Sequence, residues 1–281
     1  MTTEAAAPSH STGDRSLRTV DAHLSFGGVL RAELLKLLSL RSTGWTLGLT
    51  VVVMTLFGLL QAYSLRLPAE ETESAGIAAP THGAEVVIAG YQMGAVTIAV
   101  LGALMITAEY STGMIRSTLT AVPTRLPVLL AKMIALGAVT VAVSALSLAL
   151  TFLVTTPLLS DYELIPALHD ELTWQIFGGM GFFLLTAALF ALGIGAVLRS
   201  TAGTITVVLV VLLLLPGVLE FINLDWVQDI AAYLPLQAAA AFLSVTDGPK
   251  TLDPWQGATV VAAYPIVALV AGAAMLQQRD A

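Results

Sequence analysis

Glu109 closes a long apolar run, and the bases Arg116, Arg125 and Lys132 follow it before the next apolar run begins. A lone carboxylate beside three cations suits ion pairing with protein or lipid headgroups rather than bond-making chemistry. A polar, cationic connection of this kind between membrane-spanning helices belongs on the cytoplasmic side. A second charged group, Arg31, Glu33, Lys36 and Arg41, is interleaved with Leu30, Leu34, Leu37 and Leu38. Acids among these bases, and an apolar stripe beside them, point to a topology-setting flank and not to nucleic-acid binding. His169, Asp170 and Glu171 are contiguous instead of spaced along one helix face, so they read as a solvated loop rather than a metal site. No Gly-x-x-x-x-Gly-Lys-Ser/Thr loop or His-Glu-x-x-His pair occurs, and cysteine is absent. The expectation is a chain with no cofactor, no metal and no catalytic centre of its own.

The elements that carry these residues follow from composition. Apolar residues make up 57% of the 281 and charged residues 11%, with mean hydropathy +0.86. Soluble domains carry roughly 25% charged residues, so the solvent for most of this chain is lipid. The six longest intervals without Asp, Glu, Lys or Arg are 42–65, 86–108, 133–160, 172–198, 200–219 and 254–278. Each can supply the roughly 20 residues needed to cross a hydrocarbon core of about 30 Å. None of them encloses an ionisable group of the kind ion-coupled carriers use, which moves the expected energy source outside the chain.

The net charge of −7 divides by side. Residues before 44, the 109–132 connection, Arg199 and the C-terminal tail hold 10 of the 12 Lys and Arg but 6 of the 19 acids. Strict alternation then gives a multi-pass cell-membrane protein with both termini cytoplasmic.

Taken in order, residues 1–26 read as a disordered cytoplasmic tail. Residues 27–42 read as an amphipathic helix in the cytoplasmic interface, its charged positions turned to water. The spans fall at about 44–63, 86–108, 133–155, 174–197, 204–218 and 257–276, with Trp45 and Tyr63 at the ends of the first. Gly90 and Gly94 permit close helix contact, inside the chain or at a dimer seam. Ala135, Ala138, Ala142 and Ala145 offer a second narrow approach surface on the third span. The stretch 109–132 has enough periodicity for a short helix lying against the bilayer. Arg199 to Gly203 is a very short turn, and Pro216 is placed to kink or end the fifth span. Segment 220–256, with Trp226, Tyr233 and Pro235, is too apolar for a free loop and reads as a re-entrant or interfacial pair of helices. The fold class is all-α, polytopic, with six transmembrane helices.

With that topology, residues 27–281 resemble the membrane-spanning permease subunits of ABC-2 type exporters, notably the short six-helix bacterial kind. Three features carry the resemblance: Leu30 to Leu38 leading to Arg41; Glu109-Tyr110-Ser111-Thr112-Gly113-Met114-Ile115-Arg116 continuing through Pro123-Thr124-Arg125 to Lys132; and Tyr233-Leu234-Pro235 before the last span. The resemblance implies two such subunits, identical or closely related, each docked on a separate cytoplasmic ABC ATPase. It implies that Arg31, Glu33, Lys36, Glu109, Gly113, Arg116 and Arg125 belong to the docking and coupling surface, where mechanical input reaches the membrane part. Glu109 is expected to pair with Arg116 or with a base on the partner. Cargo would be hydrophobic or amphipathic: a drug, peptide or lipid-like molecule. The alternative is a non-transporting membrane scaffold or sensor that docks a cytoplasmic partner through the same surface.

Overall fold

A computed structural model describes residues 25–74, 80–114, 125–222, 224–245 and 252–278, apart from the side chains of Ala69, Glu73 and Arg125. The described residues form helices and turns with no strand. In chain order these are α1 Phe26–Ser39, α2 Arg41–Ser64, α3 Ala69–Ser74, α4 Gly83–Ile88, α5 Tyr91–Ser111, α6 Arg125–Ser160, α7 Glu171–Leu198, α8 Thr201–Leu209, a π-helical turn Val210–Leu214, α9 Leu215–Glu220, α10 Asp225–Ala231, α11 Pro235–Leu243 and α12 Pro254–Gln278. Six stretches are long and apolar enough to cross a membrane: α2, α4 with α5, α6, α7, α8 through α9, and α12. The chain is a multi-pass membrane protein built of helices.

At the centre is α7, packed chiefly on α5 and α12. Close approach between these helices depends on residues without side chains. A Cβ on Gly102 of α5 would collide with the Ala188 carbonyl oxygen of α7. Gly90 and Gly94 receive Met54 of α2, so this pair serves packing within the chain. Gly90 also breaks the second span into α4 and α5 through the turn at Ala89 and Gly90.

Helix α6 meets α2 along a different face from the alanine row. Of the alanine row Ala135 is buried while Ala138, Ala142 and Ala145 are exposed, and beyond Ala135 the buried positions include Val139, Thr140, Val143, Ser144, Ser147, Thr151 and Thr155. A methyl group loses nothing against lipid, and on the buried face the Thr140 and Ser147 hydroxyls have no hydrogen-bond partner among the described residues. Ser144, Thr151 and Thr155 donate to the carbonyls of Thr140, Ser147 and Thr151, each at 2.8 Å. Thr151 also donates to Thr55 at 3.3 Å, and Thr50 and Thr97 share a hydrogen bond of 2.8 Å between α2 and α5.

Several boundaries differ from the sequence expectation. Arg41 opens α2 after an extended Leu40 instead of closing α1. Residues 125–132 are the first two turns of α6, which at 36 residues is the longest described helix; residues 115–124 of the connection expected to hold a short helix lie outside the described residues. At about 1.5 Å per residue it exceeds a hydrocarbon core of about 30 Å. The turn between α7 and α8 is only Arg199 and Ser200; Arg199 adopts φ +54°, and the Ser200 hydroxyl accepts the Gly203 N–H at 3.3 Å. Pro216 lies just past the π-helical turn. The Leu215 N–H reaches the Val210 carbonyl there, so the wide turn absorbs the missing proline donor without ending the span.

Candidate functional site

The charged residues of α1 do not all face water. On a helix, Glu33 shares a face with Leu30 and Leu37, three residues before and four after. That face packs on α6, leaving Glu33 only 5% exposed while Leu35 and Leu38 point outward. The solvent-facing placement expected for Glu33 is therefore corrected. Lys36 lies one turn further along and is half-buried; Arg31 is exposed.

Two further helices bring charges to this point. Glu109 sits in the last turn of α5 at 2% exposure, where unpaired carbonyls already make the surroundings negative. A carboxylate is unstable there without cations, and it has two. Lys36 Nζ and Lys132 Nζ both donate to Glu109 Oε1. Lys132, from the second turn of α6 and 1% exposed, also donates to Glu33 Oε2 at 2.8 Å. The result is a network of two acids and two bases joining α1, α5 and α6, three of its members fully buried. The Glu109 Oε2 atom has no hydrogen-bond partner among the described residues.

Removing charges from water is costly, and a buried pair offsets that cost only when each charge keeps its partner. Loss of one member strands the others. The network therefore fixes α1, α5 and α6 relative to one another at one end of the bundle.

A second link lies at the same end. The Arg199 guanidinium stands 5.0 Å from the ring centroid of Tyr110 and donates to the Met275 carbonyl at 3.3 Å, in the last turns of α12. Thr201 donates to Thr107 at 2.9 Å. Helices α5, α7, α8 and α12 are thus held beside the network by polar contacts.

The other residues singled out from sequence fall in several places. Gly113 follows α5 at φ +71°, a conformation that favours glycine, and its N–H reaches the Tyr110 carbonyl at 3.3 Å. Arg116 lies outside the described residues, as does the side chain of Arg125, which opens α6. Within the described residues Glu109 pairs with Lys36 and Lys132; the expected pairing with Arg116 or with a base on the partner lies outside them.

At the opposite end, Trp226 on α10 and Tyr233 are exposed, while Pro235 opens α11 and is buried. The Tyr264 hydroxyl donates to the Tyr233 carbonyl at 3.1 Å, tying this segment to α12. Asp170 caps α7 through the Leu172 N–H at 3.3 Å and approaches His82 Nε2 at 3.3 Å. Glu85 joins a capping box with His82 and accepts the Val245 N–H at 2.7 Å.

Sequence reasoning missed Lys132 as a site residue, counting it only among the cations of the connection. The available signal was its flanks: Leu129, Leu130 and Ala131 before it, Met133 and Ile134 after it, an apolar setting in which lysine needs a partner.

Compared with models of known protein families, the chain matches none, and no curated protein is significantly similar to it.

Proposed function

We propose that this chain is the membrane-spanning permease subunit of an ATP-driven exporter of the ABC-2 type. It moves a hydrophobic or amphipathic cargo, and its energy comes from a separate cytoplasmic ATPase. Two permease subunits work as a pair, both termini and the charged end facing the cytoplasm.

The observation that supports this most is the ion network of Glu33, Lys36, Glu109 and Lys132. It joins α1 to the two helices flanking the cationic 109–132 connection. A force applied to that connection would be shared by α1, α5 and α6, because separating any of them leaves buried charge unpaired. That is a mechanical requirement of a subunit driven from outside. The resemblance carried by Glu109 to Lys132 supplies the identity of the motor. In this proposal Arg31, Arg116 and Arg125 meet the acidic surface of the ATPase, and Gly113 sets the direction in which the chain leaves α5. The α10–α11 segment lies at or just within the outer interface.

The test is copurification with an ABC ATPase, followed by ATP hydrolysis and cargo export in vesicles. Charge reversal at Arg116 or Arg125 weakens association while membrane insertion is unchanged. A stable complex that moves no cargo in response to ATP would support a membrane scaffold instead.

A further inference from the structure

A cavity of about 300 Å³ opens between α1, α2 and α5. Along α5 its lining runs from Leu101 to Thr112, about three turns and ~16 Å of helix. That length is roughly half of a hydrocarbon core of about 30 Å, the reach of the acyl chains of one leaflet. Leu101, Leu104 and Met105 make the deep end apolar, while Lys36, Ser42 and Thr112 lie at the other end, where α2 begins and α5 stops. Leu40 also lines the cavity and is half exposed, so the space opens at the surface of the bundle. The ion network beside it is balanced, two acids against two bases, but its members are unequally accessible. The side chains of Glu33 and Glu109 are 7% and 2% exposed, and that of Lys36 is 30%. The network therefore presents an ammonium to the outside, with N–H donors beyond the one given to Glu109. Arg41 lies between the lining residues Leu40 and Ser42, is exposed, and forms no ion pair among the described residues. The accessible charge at the mouth is thus cationic, above an apolar slot one hydrocarbon chain wide in volume.

We propose that this cavity seats one acyl chain of an anionic phospholipid, with the phosphate held at the mouth by Lys36 and Arg41. The apolar depth selects the chain, and the two accessible cations select the head. The lipid keeps the orientation it has in its own leaflet, because the cationic mouth is at the helix ends and the apolar end points into the span. The binding does not depend on the chain being a transporter.

The experiment uses the full chain in phosphatidylcholine vesicles containing a minor fraction of phosphatidylglycerol with a photoreactive diazirine at the end of one acyl chain. After illumination the labelled residues are mapped by peptide mass spectrometry. Saturable labelling of Leu101, Leu104 or Met105 is expected. It should be about fivefold more efficient than from phosphatidylcholine carrying the same diazirine, the worth of one basic residue near an anionic head. Arg41→Gln changes an exposed side chain and should bring the two lipids near parity. Ala108→Phe places a ring in the cavity and should abolish labelling at these positions, while labelling of Leu56 and Leu60 on the exposed face of α2 continues and reports an inserted, folded chain. Equal labelling by the two lipids in the parent protein overturns the proposal, as does labelling that survives Ala108→Phe. Displacement of the label by an equal amount of oleate identifies a free fatty acid as the occupant and also overturns it. Should Ala108→Phe fail to fold, the head-group comparison in the parent and in Arg41→Gln decides the matter.

Discussion

Lys132→Met is the most informative perturbation of this protein. Methionine matches the length of the lysine stem, so packing between α1, α5 and α6 is largely conserved and the change is one of charge. Lys132 donates to both Glu33 and Glu109, and its side chain is 2% exposed. After substitution Glu109 retains Lys36, but Glu33 loses the bond at 2.8 Å and is left as a buried carboxylate. Breaking a buried pair from one side costs about 3–5 kcal/mol. For a chain of this size that corresponds to a loss on the order of 10 °C in thermal midpoint. The assay is thermal unfolding of purified protein in mild detergent, read by fluorescence, with Glu33→Gln and the double variant completing a cycle. The double variant should recover part of the loss, with a coupling of roughly 0.5–3 kcal/mol, because the stranded charge is removed with its partner. If Lys132→Met unfolds within about 0.5 kcal/mol of the parent, the network carries no structural tension and its coupling role is refuted.

Other consequences can be checked in the same preparation. Gly102→Leu drives a side chain into the Ala188 backbone and should cost roughly 1–3 kcal/mol through separation of α5 and α7, measured by thermal midpoint. Gly113→Ala forces a side chain into φ +71° at a position with open space around it, so a strain cost of about 1–2 kcal/mol should appear in stability. Thr50→Val removes the hydrogen bond of 2.8 Å to Thr97 and should cost only about 0.6 kcal/mol, since hydroxyls in membranes find other partners. Tags placed near residues 120 and 240 should be accessible from opposite faces of the membrane; labelling of both from one face refutes the six-span topology.

Gly90 and Gly94 illustrate how far a sequence pattern reaches. Their spacing announces a close contact but leaves the contacting helix open, and only the folded chain selects Met54 of α2. The alanine row of α6 shows the opposite case. Small residues at helical steps suggested a seam, yet lipid accepts methyl groups as readily as protein does: Ala135 is buried, and beyond it the buried face runs through Val139, Val143, Ser147 and Thr151 instead.

Glu33 was misplaced because helical amphipathicity counts charge as water-facing, and a single chain segment cannot show a lysine that arrives from 99 residues away. Lys132 was overlooked for the same reason, its two acids lying on α1 and α5.

Six intervals free of charge and long enough for a bilayer are a property of the chain alone, because lipid tolerates neither unpaired backbone groups nor unpaired charges. Composition and interval length therefore determined the all-helical, multi-pass class before any packing was considered. Which charges meet was decided by tertiary structure alone. Opposite charges attract at whatever separation in sequence the fold happens to close, and here three helices converge to bury Glu33, Glu109 and Lys132 against one another.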